Sequence, residues 1–128
     1  MLALPAQAAT LEVVVGNVRN GTGDVRVAVC SAAAFLKEYC EYNGIGPARP
    51  GEVTVRVDGV PPGTWAVQAY HDEDRNSEVT LNFLGLPVEG LGFSNDAPFR
   101  MGPPRYPDAA FRLGPAGGRI KLGLRYLF

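Results

Sequence analysis

The sequence predicts an all-β fold, a single antiparallel β-sandwich, and three observations carry that expectation. Six short stretches alternate apolar and polar residues with a period of two, the signature of half-buried strands. Sixteen glycines and eleven prolines in 128 residues place turns between those stretches and leave little room for long helices. The length supports one hydrophobic core and not two. A sheet with one apolar face must bury it against another, so the strands are expected to form two packed sheets.

The elements follow in chain order. Residues 1–9 read as the remnant of a signal peptide or as a disordered arm: Ala6-Gln7-Ala8 fits the small-x-small cleavage pattern, with Leu2-Ala3-Leu4 as the end of an apolar region. The single sandwich domain spans 10–128. Leu11, Val13 and Val15 share one face of the first strand. Asn20-Gly21 is a strong turn signal, after which Val25, Val27 and Val29 alternate with Arg26 and Ala28. A short helix is expected over about 32–39, with Ser31 as its N-cap. Val53, Val55 and Val57 mark the third strand, and Trp65, Val67 and Ala69 the fourth. Trp65 is expected to anchor the core between the sheets. Phe111 with Leu113, then Ile120, Leu122, Leu124 and Tyr126, supply the last two. Between the fourth and fifth strands lies a long segment at about 71–108 without periodicity. Its scattered Phe, Leu and Gly-Pro-Pro point to an ordered loop, and so long an insert in a small domain suggests function.

Charge and composition exclude some classes. Twelve basic residues nearly balance thirteen acidic ones, so no basic stripe for nucleic acid exists. No apolar run approaches the ~20 residues of a membrane span. Cys30 and Cys40 are the only cysteines. In an exported chain an even count favours a disulfide between them, the alternative being two buried thiols. Export to the periplasm or the extracellular space is the expectation from both features.

Two resemblances carry further expectations. The run Asp58-Gly59-Val60-Pro61-Pro62-Gly63-Thr64-Trp65-Ala66-Val67 is similar to a turn of prealbumin-like (transthyretin-like) sandwich modules. A wider set resembles the bacterial DUF2141 family. It comprises Tyr70-His71-Asp72, Asn76, Asn82-Phe83-Leu84-Gly85, Pro87, Glu89-Gly90, Gly92-Phe93-Ser94-Asn95 and Gly102-Pro103-Pro104, followed by Tyr106, Ala109 and Phe111. The resemblance implies a sandwich fold and an envelope location, and it offers no assigned reaction.

The candidate site falls in the long segment. Asp72, Asp74 and Asn76 occupy the first, third and fifth positions of a calcium loop, a spacing that turns successive oxygens toward one hard cation, and Asn82 adds a carbonyl oxygen. Ser77, Thr80 and Phe83 stand where such a loop carries its turn glycine and two acids, which weakens the site and leaves turn caps as the alternative. His71, Asp72, Ser94 and Asn95 form the expected ligand-binding set. The lone histidine is either structural or a functional contact. Phe93, Phe99, Met101, Pro103, Pro104 and Tyr106 make either a groove or the loop's own miniature core. The leading functional expectation is a non-catalytic envelope binding domain for a saccharide or peptide. An assembly module acting through sheet edges and a hydrolase centred on His71 and Asp72 are the alternatives.

Overall fold

A computed structural model describes residues 9–37, 39–75, 89–98 and 103–126. The alternating valine stretches form strands as expected, and they assemble into two packed sheets. In the first, β1 (Ala9–Val18) lies between β4 (Gly51–Val60), to which it is antiparallel, and β8 (Gly118–Gly123), to which it is parallel. In the second, the order is β3 (Tyr42–Pro47), β2 (Asp24–Cys30), β5 (Gly63–Asp72) and β6 (Leu91–Phe93), with β7 (Phe111–Leu113) pairing with the start of β5. The β1–β8 pair is the one parallel pairing of named strands among the described residues.

The core sits between the sheets. Leu11, Val13 and Val15 of β1 meet Val25, Val27 and Val29 of β2, Val53, Val55 and Val57 of β4, and Leu122 of β8. A second cluster covers the outer face of the five-stranded sheet. Cys30 and Ala66, which face each other across β2 and β5, underlie Phe35, Phe93, Ala97 and Ala109. Phe35 meets Phe93 and Tyr106 edge-on, with ring centroids 5.9 and 5.8 Å apart. Part of the Gly-Pro-Pro region thus serves a miniature core through Phe93 and Tyr106; Phe99 and Met101 lie outside the described residues.

The structure corrects several expectations. Residues 32–36 form turns and not a helix, held by the Ala34 and Phe35 N–H groups on the Ser31 carbonyl at 3.1 and 3.0 Å. Leu36 takes a left-handed φ of 67°, which ends any helical run, and the bonded cysteines tie the two ends of the loop together. The Ser31 hydroxyl bonds the Glu41 carboxylate and does not cap a helix. The helix α1 (Tyr106–Ala109) forms instead inside the segment read as a loop, as does a single 3-10 turn at Ser94–Asp96. Trp65 is half-buried at the margin of the core, edge-on to Tyr42 at 5.4 Å, and donates its indole N–H to the Pro61 carbonyl at 2.9 Å. Strand β3 escaped the sequence because Tyr-Asn-Gly-Ile-Gly-Pro is poor in strand formers. Its Gly44 is required there: a Cβ would stand 2.8 Å from Val55 Cγ1, so β3 crosses β4 too closely for a side chain.

Candidate functional site

Strand β5 ends by placing two neighbouring side chains on opposite faces, and both are fully buried: His71 points into the sandwich and Asp72 to the outer face. The turn between β1 and β2 packs directly against this end. A Cβ on Gly23, at φ +75°, would stand 2.1 Å from the Asp72 carbonyl oxygen, so only glycine fits the approach.

The histidine is held on both sides. Nε2 lies 2.6 Å from the Thr22 carbonyl, which only accepts, so Nε2 carries a hydrogen. In the neutral ring Nδ1 then accepts the Tyr126 hydroxyl at 2.8 Å, and that hydroxyl accepts the Arg19 backbone N–H at 3.0 Å. Burial pushes the Tyr126 hydroxyl up from its usual range, against the opposing pull of Arg19, so it remains a donor at neutral pH. The Arg19 guanidinium lies 4.4 Å from the centre of the Tyr126 ring. A histidine so enclosed ties the segment that follows β8 to the turn between β1 and β2.

The acids gather beside it. Asp72 accepts Arg26 Nε at 2.9 Å. Glu73 pairs with Arg19 at 2.5 Å and accepts Asn20 Nδ2 at 3.0 Å. Burial raises the Glu73 carboxyl, but the Arg19 and Asn20 bonds and the Arg19 charge outweigh it and hold the group below the ordinary glutamate range. Glu89, nearly fully buried, accepts the Glu73 backbone N–H at 2.7 Å. Carboxylate oxygens of Asp72, Asp74 and Glu89 all lie within 4.8 Å of one another. Two of the four expected cation ligands, Asp72 and Asp74, are therefore together, while Asn76 and Asn82 lie outside the described residues. Glu89 was not among the expected ligands. Its only signal was its place in the Glu89-Gly90 motif, because it comes from the far end of the segment, outside any single-loop spacing.

Ser94 and Asn95 do not join this group. The Ser94 hydroxyl accepts the Val67 N–H at 2.9 Å and donates to the Ala109 carbonyl. Asn95 Nδ2 donates to the Asp108 and Ala110 carbonyls at 3.2 and 2.9 Å. Both residues fasten α1 to the sheet beside Val67, four residues short of His71 along β5. Cys30 and Cys40 are joined by a disulfide.

Residues 13–121 match the family model described as uncharacterised proteins conserved in bacteria, DUF2141. The chain belongs to the DUF2141 family. No curated protein and no solved structure matches it. The match runs from the middle of β1 into β8, so the carboxylate group lies inside the DUF2141 region together with most of both sheets. Among its described residues no helix is long and apolar enough to cross a membrane.

Proposed function

We propose that this DUF2141 chain is a non-catalytic binding module of the bacterial cell envelope, whose recognition surface lies at the end of β5, where a bound calcium ion is held by Asp72, Asp74 and Glu89. The observation that carries the reading is the convergence of Asp72, Asp74 and Glu89 within 4.8 Å. Two of these carboxylates are buried, and gathering like charges away from water is costly unless a positive charge joins them. Arg26 supplies such a charge to Asp72. All three groups offer hard oxygen ligands, the type calcium takes in sets of about 6–8. The cation would hold the ends of the segment together rather than take part in chemistry.

Two further observations support the reading. A disulfide such as Cys30–Cys40 persists in oxidising compartments, which favours export and an envelope ligand such as a saccharide or peptide. A hydrolase on His71 and Asp72 is disfavoured because both ring nitrogens are hydrogen-bonded, the ring has no solvent contact, and the Ser94 hydroxyl is occupied elsewhere. An assembly role through sheet edges is disfavoured at β8, where Arg119 and Lys121 discourage strand addition.

The test is thermal unfolding with and without calcium. Calcium at about 100 times its dissociation constant stabilises the fold by about 2.7 kcal/mol and raises Tm by several degrees. Asp74→Asn, at an exposed position, weakens that shift, and Asp72→Ala with Asp74→Ala abolishes it. If millimolar calcium leaves the wild-type Tm unchanged, the acids act as turn caps and local ion-pair partners.

A further inference from the structure

Among the described residues, one backbone-paired couple bridges the two sheets at the seam between β6 and the end of β8. Leu91 of β6 and Arg125 beyond β8 exchange both backbone hydrogen bonds, at 3.0 and 2.9 Å. The ladder does not continue to Gly123, whose N–H is taken at 2.8 Å by the Asp96 carboxylate in place of a β6 carbonyl. Gly92 of β6 still packs closely here, since a Cβ on it would stand 2.7 Å from the Gly123 carbonyl oxygen, and beside this contact lies a surface wedge of about 330 Å³. Its floor is apolar, from Phe93, Ala97 and Leu124, and Asn17, Asp96 and Arg125 complete its lining. Asn17 and Asp96 both have left-handed backbones, at φ 60° and 48°, as does Asn95 next to them at 59°. Such strain concentrates at ligand sites.

The charges decide what fits. Asp96 uses one carboxylate oxygen on Gly123 and Asn17 uses its amide N–H on the Leu124 carbonyl, at 2.7 Å. Neither Asp96 nor the Arg125 side chain forms an ion pair among the described residues, although the two residues line the same cavity. An aspartate and an arginine that line one wedge without pairing suit a molecule that carries both opposite charges.

We propose that the wedge binds a small zwitterion, a free amino acid or a short peptide with free ends. Its ammonium group meets Asp96 and the Asn17 carbonyl oxygen, its carboxylate takes the Arg125 fork, and a small apolar side chain covers Phe93 and Leu124. A neutral saccharide would leave both charges unmatched, and an internal peptide segment has no termini to offer. The volume lies at the low end of the roughly 300–1,000 Å³ of small-molecule sites, which limits the ligand to about the size of a dipeptide. The inference stands apart from the calcium reading, since none of the three clustered acids lines the wedge.

The experiment is an NMR titration of amide shifts with dialanine, run in a metal chelator so that the cation site plays no part. Saturable shifts are expected at Gly123 and Ala97 with a dissociation constant of about 1 mM or below. Arg125→Gln should weaken binding about tenfold, the loss of one charge-assisted fork. Asp96→Asn, which keeps an oxygen for Gly123, should weaken it similarly. Dialanine acetylated and amidated at its ends should not bind. No saturable shift by about 10 mM, equal binding of the blocked peptide, or an unaltered affinity in Arg125→Gln with native Tm overturns the proposal.

Discussion

Between the sheets, the chain buries side chains that strands deliver in rhythm: every second residue from Leu11 to Val15, from Val25 to Val29 and from Val53 to Val57 is a valine or leucine pointing inward. On the outer face of the five-stranded sheet it buries side chains that share no rhythm. Phe35 comes from the disulfide loop, Phe93 from a three-residue strand, Ala97 from the end of a 3-10 turn and Ala109 from a four-residue helix. Repeating backbone hydrogen bonds hold the first cluster. The second depends on single fastenings: Cys30–Cys40, Ser94 between Val67 and Ala109, and Asn95 on α1. The inner core should therefore set global stability, and the outer cluster should open by itself.

The largest effect expected from this contrast is in the inner core. Leu11→Ala, at a fully buried position in the middle strand, should cost about 2–5 kcal/mol, a large part of the stability of so small a domain. Phe35→Ala should cost less, about 1.5–3 kcal/mol, the transfer cost of the ring alone, because it packs at the surface of a sheet that can stay folded without it. Denaturant unfolding gives both costs, and hydrogen exchange tells local from global opening. Were Phe35→Ala to deprotect the amides of β2 and β5 as well as the loop, the two clusters would be one cooperative unit.

The disulfide tests the contrast more gently. Cys30 and Cys40 are 10 residues apart, and closing so short a loop stabilises by about 2–3 kcal/mol. Replacing both by serine should loosen residues 31–37 and α1 before the sheets melt. Intact mass with alkylation checks the bond itself: protein from an oxidising compartment should take up label only after reduction. Two freely alkylated thiols would remove both the fastening and the argument for export.

The same division separates what the sequence could reveal from what it could not. The inner core was legible because valine alternation is a local pattern that a sheet reads directly. Strand β3 was hidden because its position against β4 demands glycine where strand formers are the usual sign. The helix expected at 32–39 failed because the ring closed by the disulfide and the left-handed Leu36 override the local preference of an alanine-rich run. At the candidate site, the spacing of Asp72 and Asp74 was readable as oxygen ligands. Glu89 was not, because it reaches the other two acids only after the chain returns to pair with β5. His71 was visible as the only histidine, but its enclosure depends on Thr22 and Tyr126, which are distant in sequence.

The smallest expected effect lies at the polar end of β5, where neither cluster reaches. Arg19 and Asn20 hold the Glu73 carboxyl below the ordinary glutamate range despite its partial burial. A carboxyl whose folded pKa is lowered stabilises the fold when ionised. That contribution is complete above the unfolded value of about 4.3 and drains away as pH falls through the folded value. The Arg19 side chain is 36% exposed, so solvent screens the pair and its worth stays under about 1 kcal/mol. Glu73→Gln should therefore lower Tm slightly at pH 7, and the deficit should shrink in 1 M salt and close as the pH falls toward 3. Leu11→Ala should keep its deficit across the same range, since burial of an alkyl group does not titrate. A Glu73→Gln deficit that persists unchanged in acid would show that the side chain acts by packing, and would move this corner of the molecule from the electrostatic side of the comparison to the apolar one.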